Sequence, residues 1–277
     1  MPENEMPAQP SPSRVIKPPL ARKARPSAVT EDERLINIRR HTPELFTESD
    51  PWRVLRIMGE FVAGFDALAD LGTAVSMFGG ARVKETDPMY AQAVETARLL
   101  GAAGFSIITG GGPGLMEACN RGATLAGARS VGLNIELPFE QHLNPYTDTA
   151  LEFRYFFVRK MMFVKYACAF VIFPGGFGTM DELMEALVLI QTGKIRSFPV
   201  VLFSSAYWSG LLEWMRGPML QEGKIAAHDL DLMAVSDSPE EVRDIIVRSL
   251  HEEDWWSRRE EGARSATRAH LERKQRT

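Results

Sequence analysis

Two carboxylates one helical turn apart, Glu182 and Glu185, stand directly behind a glycine turn, Pro174-Gly175-Gly176-Phe177-Gly178-Thr179. The three glycines free the backbone to approach a ligand closely, and the first-turn amides of the helix that follows can face a phosphate beside the Thr179 hydroxyl. We expect Thr179 to cap that helix. An acid beside a phosphate cradle implies chemistry on a phosphorylated small molecule. Two further glycine turns occur upstream, Gly79-Gly80 and Thr109-Gly110-Gly111-Gly112-Pro113-Gly114, the second leading into Glu117. A basic pair, Arg159-Lys160, lies between the second turn and the third. No turn matches GxxxxGK[ST], so triphosphate and magnesium chemistry loses its main support, and GGGPGLME fits the dinucleotide fingerprint poorly.

These residues need a frame, and the hydrophobic pattern supplies one. Residues 169–173 are five apolar residues in a row, as in a parallel strand covered on both faces. Further strands are expected over 73–78, 105–109, 130–135, 151–155, 199–203 and 232–235. Helices are expected over 90–103, 114–126, 158–168, 209–220 and 239–250, and one follows the third glycine turn. Strands alternating with helices of this length predict an α/β fold, a Rossmann-like doubly wound parallel sheet. In such a sheet ligands bind beyond the carboxyl ends of the strands, where all three glycine turns fall.

The flanks read differently. Residues 1–28 hold seven prolines and few large apolar side chains, which predicts a disordered tail carrying a basic cluster. Residues 29–72 read as two helices, one capped by Thr30 and one opening at Ser49 or Asp50 with Pro51 in its first turn. Residues 73–250 form the expected catalytic domain, and 251–277 a charged extension expected to be a frayed or exposed helix.

With 277 residues, 45% of them apolar, the chain can build a substantial core. A formal net charge of -4 argues against a protein whose main work is gripping nucleic acid or an anionic membrane. Cys119 and Cys168 fall within expected helices without CxxC spacing, and the five histidines are scattered, so neither a disulfide framework nor a metal site is indicated. No secretory leader and no apolar run long enough to span a membrane is expected, which fits a reducing cytoplasm.

Gly110-Gly111-Gly112-Pro113-Gly114 and Pro174-Gly175-Gly176-Phe177-Gly178-Thr179-Met180-Asp181-Glu182, with Arg159-Lys160 between them, resemble the LONELY GUY (LOG) family of nucleoside 5'-monophosphate phosphoribohydrolases. The resemblance covers roughly 73–235. It implies hydrolysis of the N-glycosidic bond of AMP, or of an N6-substituted, cytokinin-type AMP, to free base and ribose 5-phosphate, with no cofactor. It implies Arg159 and Glu182 as the catalytic pair, and a substrate held by Gly79, Gly80, Thr109, Gly111, Gly112, Glu117, Lys160, Pro174, Gly175, Gly176, Phe177, Gly178, Thr179 and Glu185. A homodimer or larger homo-oligomer is implied as well. That family has often carried the label lysine decarboxylase, for which nothing in the sequence marks a pyridoxal-phosphate lysine. Phe157-Val158 replaces the methionine-histidine run that precedes Arg-Lys in short members, which leaves the base preference open. The alternative is a protein of the same fold that binds a nucleotide or phosphorylated cofactor without cleaving it.

Overall fold

The computed structural model describes residues 14–16, 30–36, 49–137, 143–196, 198–251 and 253–274. In chain order they form β1 (Arg14–Ile16), α1 (Glu31–Ile36), α2 (Asp50–Ala67), β2 (Ala74–Phe78), α3 (Pro88–Ala102), β3 (Ser106–Thr109), α4 (Leu115–Leu125), β4 (Ser130–Ile135) and β5 (Thr149–Phe153). There follow α5 (Phe156–Tyr166), β6 (Ala167–Ile172), α6 (Phe177–Gln191), β7 (Val200–Phe203), α7 (Ser205–Trp214), a 3-10 turn (Ala227–Leu232), β8 (Met233–Ser236), α8 (Pro239–His251) and α9 (Glu253–Lys274).

The eight strands make one sheet in the order β1-β5-β4-β3-β2-β6-β7-β8, and every neighbouring pair is parallel. Winding runs outward from β2 through β3, β4 and β5, then returns to the other side of β2 with β6. The reversal therefore sits at β2, and the crevice of such a sheet opens at this point.

Strand side chains alternate between two buried layers. Ala74, Phe78, Phe170 and Ile172 pack with Val158 and Phe163 of α5, Leu183 and Ile190 of α6 and Trp208 of α7. Val75, Met77, Val171 and Phe173 pack with Ala93 and Leu100 of α3, Leu115 and Ala118 of α4 and Val242 and Ile246 of α8. With helices on both faces the central strands can be apolar throughout, and β2 is buried at all five positions.

Four expectations are corrected. Arg14–Ile16 pairs in parallel with β5, from Arg14 beside Thr149 to Ile16 beside Leu151, inside what reads as a disordered tail; the rest of that tail lies outside the described residues. The strand expected at 151–155 is Thr149–Phe153 and its helix begins two residues early, at Phe156. Distant carboxylates set that boundary: buried Glu60 of α2 accepts the Arg154 Nε at 2.8 Å, and Asp32 of α1 accepts the Phe156 amide at 3.1 Å. Cys168 lies on β6 rather than in a helix, because α5 passes into β6 with no loop between them.

The fourth correction concerns α9, which is docked rather than frayed. Glu260 and Ala263 are fully buried, and the Glu260 carboxylate accepts the Phe198 amide at 2.8 Å. Among the described residues no helix is long and apolar enough to cross a membrane.

Candidate active site

The three glycine turns follow β2, β3 and β6, which are adjacent strands, so they meet at the reversal point of the sheet. They are bonded to one another. The Gly80 amide donates to the Pro174 carbonyl at 2.9 Å, and the Leu115 amide donates to the Gly80 carbonyl at 3.1 Å. Gly114 has φ of 69°, and a Cβ there would lie 2.5 Å from the Gly80 carbonyl oxygen. Any side chain at 114 would force the second turn off the first.

A buried polar network holds the second turn. Thr109 Oγ1 donates to Asn120 Oδ1 at 2.6 Å and accepts the Gly111 amide at 2.9 Å. Asn120 donates to Ser130 Oγ at 2.8 Å, while Asn144 donates to Asn120 Oδ1 at 2.9 Å and to the Gly112 carbonyl at 3.0 Å. Thr109 is fully buried and its hydroxyl is committed, so it shapes the turn instead of facing a ligand as the sequence reading has it. Nothing local in the sequence marks Asn120 and Asn144, whose partners come from β3, β4 and the second glycine turn. Asn120→Ala strands two buried donors and is expected to cost about 3 kcal/mol, read as a lower urea midpoint with unchanged slope.

At the third turn Gly176 is the residue before α6, so Thr179 sits inside the first turn rather than at the cap, and no side chain caps this helix. Its first amides are left for a ligand or water. A Cβ on Gly175 would collide with the Thr179 hydroxyl, so only glycine lets the turn fold over its own helix. Phe177 stands almost wholly in solvent, at 94% exposure.

One turn into α6, Glu182 is 7% exposed and its Oε2 has no hydrogen-bond partner. Burial raises its pKa to about 7, against the pull of Lys160 and Arg159 and with the push of Glu185 and Asp181. Arg159 of α5 donates from Nε to the Leu133 carbonyl at 2.8 Å and lies 5.1 Å over the Phe163 ring. Its Nη2 packs against Gly110, where a Cβ would lie 2.6 Å away. Burial lowers its pKa to about 10, with the Glu182 charge opposing. Among the described residues Arg159 forms no ion pair with a carboxylate, so its charge is available to a ligand.

Lys160 is different. Its Nζ pairs with Asp181 at 2.8 Å and with Glu185 at 2.9 Å, tying α5 to α6. Burial works to lower its pKa, but these bonds outweigh it and raise the value. Such a lysine is a poor nucleophile, which also speaks against lysine-based chemistry here. Glu185 thus pairs with Lys160, where the resemblance implies a contact with the substrate for both. Half-buried Glu117 accepts the Tyr90 hydroxyl at 3.3 Å beside the second turn.

A parallel sheet with three interlocked glycine turns at its reversal point, one opening an uncapped helix with a buried acid, is a Rossmann-like arrangement whose free first-turn amides can face an anion. Residues 116–246 match the family model described as "Possible lysine decarboxylase". A "Pyrimidine/purine nucleotide 5'-monophosphate nucleosidase" of Escherichia coli (strain K12) is 30% identical over 138 residues, 46% of this chain and 30% of that protein. A "Cytokinin riboside 5'-monophosphate phosphoribohydrolase" of Mycobacterium tuberculosis (strain ATCC 25618 / H37Rv) is 28% identical over 164 residues, 54% of this chain and 83% of that protein. The "Probable cytokinin riboside 5'-monophosphate phosphoribohydrolase LOG4" of Oryza sativa subsp. japonica is 27% identical over 171 residues, 61% of this chain and 74% of that protein. The match thus spans less than a third of the Escherichia coli relative's length.

Proposed function

We propose that this protein hydrolyses the N-glycosidic bond of nucleoside 5'-monophosphates, releasing the base and ribose 5-phosphate. The observation that carries the reading is Glu182, an acid 7% exposed with an unpartnered oxygen, one turn above an uncapped helix start and within the field of Arg159. The names of the relatives agree with it. In this reading the first amides of α6 and the helix dipole hold the 5'-phosphate. The bond from C1' to the base nitrogen breaks, the base keeps the electron pair, and positive charge builds on the ribose. The Glu182 carboxylate stabilises that charge and takes a proton from the water that adds to C1', while a proton from solvent joins the leaving base. Arg159 contacts the substrate's anionic or hydroxyl oxygens, and Gly111 and Gly112 line the ribose.

A homo-oligomer belongs to this proposal. Val54, Leu55, Met58 and Val62 of α2 and Phe156, Phe157 and Met161 of α5 are exposed apolar residues, and a second copy would cover them. A cytoplasmic setting is also proposed, with Cys119 and Cys168 as free thiols.

The test is a panel of AMP, N6-substituted AMP and pyrimidine monophosphates against adenosine, read chromatographically as base release. Base is expected from monophosphates and not from adenosine. Saturable AMP binding without turnover would overturn the reading and leave a binding protein.

A further inference from the structure

Tyr207 of α7 lies outside every residue assigned above, yet its hydroxyl donates to the Gly175 carbonyl at 2.6 Å. That carbonyl belongs to the peptide joining Gly175 to Gly176. A peptide flanked by glycines on both sides turns over at little steric cost, since no Cβ restricts either dihedral. Its orientation matters in an anion cradle. In a trans peptide the carbonyl and the following N–H point in opposite directions, so fixing the Gly175 oxygen toward Tyr207 turns the Gly176 N–H the other way. A flipped peptide would present a carbonyl dipole of the wrong sign to a phosphate.

Tyr207 is itself held firmly. Its ring meets the buried Trp208 edge-on, with centroids 4.9 Å apart and planes at 87°, and Trp208 Nε1 donates to the Phe203 carbonyl at 2.9 Å. The residue that launches α7, Ser204, has φ of 81°, the one positive value for a residue other than glycine among the described residues. Strain of that kind persists where the surroundings over-determine it. Here the Ser204 amide donates to the Ser236 carbonyl at 3.0 Å, and Asp237 accepts both the Ser205 amide at 2.7 Å and the Ser205 hydroxyl at 2.6 Å. These contacts fix the start of α7 against β8, and with it the place of Tyr207.

We propose that Tyr207 is a positioning residue for phosphate recognition: its hydroxyl locks the Gly175–Gly176 peptide in the orientation that offers the Gly176 N–H to the 5'-phosphate. The proposal rests on the reading of the third turn as the phosphate site, but not on turnover.

Tyr207→Phe keeps the ring on a half-exposed position and removes only the hydroxyl. With the full-length protein, calorimetric titration of ribose 5-phosphate is expected to show affinity weaker by about fivefold, the factor one neutral hydrogen bond carries. The thermal midpoint should stay within about one degree, which separates positioning from a general structural role. Where base release is measurable, KM for AMP should rise by the same factor with kcat little changed. Equal affinity in the two proteins would overturn the assignment of Tyr207. No binding of ribose 5-phosphate by the unsubstituted protein would overturn this inference and the phosphate site together. Binding without base release would remove the hydrolase reading alone, and the Tyr207 comparison would still decide the inference.

Discussion

Glu182→Gln is expected to slow base release about 10³-fold, within the range that a positioned acid or base contributes, and at the same time to make the protein more stable at pH 8. The two effects share one cause. Burial raises the Glu182 pKa from 4.5 to about 7, so between those values the folded state holds a proton that the unfolded chain has lost. A group of this sign favours folding below pH 4.5, loses that advantage as pH rises toward 7, and leaves a constant penalty above it. A shift of this size corresponds to about 3 kcal/mol at most, and partial relaxation around the site makes 1 to 2 kcal/mol the expected gain. Glutamine keeps the shape and cannot ionise, so the variant avoids the penalty. Thermal melts at pH 4 and pH 8 read this directly: the variant's midpoint should lie close to the parent's at pH 4 and exceed it by several degrees at pH 8. In the parent, turnover should rise through pH of about 7 as the carboxylate forms. A variant less stable than its parent at pH 8, or one that retains turnover, would remove Glu182 from the role given to it.

Much of this site is legible in the sequence, because it is built from local signals. The apolar run at 169–173 predicts a covered strand, and β6 ends at Ile172 with Phe173 buried beyond it. The glycine turns fall at strand ends, and alternation of strands with helices leaves few topologies that would not bring them together. What the sequence conceals is set by partners far along the chain. Thr109 reads as a ligand contact until Asn120 takes its hydroxyl. Lys160 reads as a substrate cation until two acids of α6 occupy it. The charged stretch after residue 250 reads as solvated, yet Glu260 is committed to an amide 62 residues earlier. Tyr207 carries no signal at all, since its importance lies in a carbonyl 32 residues away. In each case residue type announced polarity, and only the fold determined whether a ligand or the protein would use it.

Arg159 is where these lines converge, and it carries the second large effect. Its guanidinium spans the Leu133 carbonyl, the Phe163 ring and the second glycine turn, and its charge lowers the Glu182 pKa. Arg159→Met removes that charge, so the Glu182 pKa should rise further above its value of about 7, and the acid limb of the pH–rate profile should move to higher pH. A loss of about 10³-fold in kcat/KM for monophosphates is expected alongside, as for removal of a preorganised cationic clamp on the substrate's oxygens. Arg159→Lys separates the two contributions. An ammonium restores the charge but cannot bond the Leu133 carbonyl and still present a planar fork to the substrate. Its pH midpoint should therefore return toward that of the parent while kcat/KM stays low by about 10²-fold. Profiles of both variants from pH 5 to pH 9 distinguish the outcomes. An unmoved midpoint in Arg159→Met would show that the arginine is not coupled to the acid, and full activity in Arg159→Lys would reduce its part to charge alone.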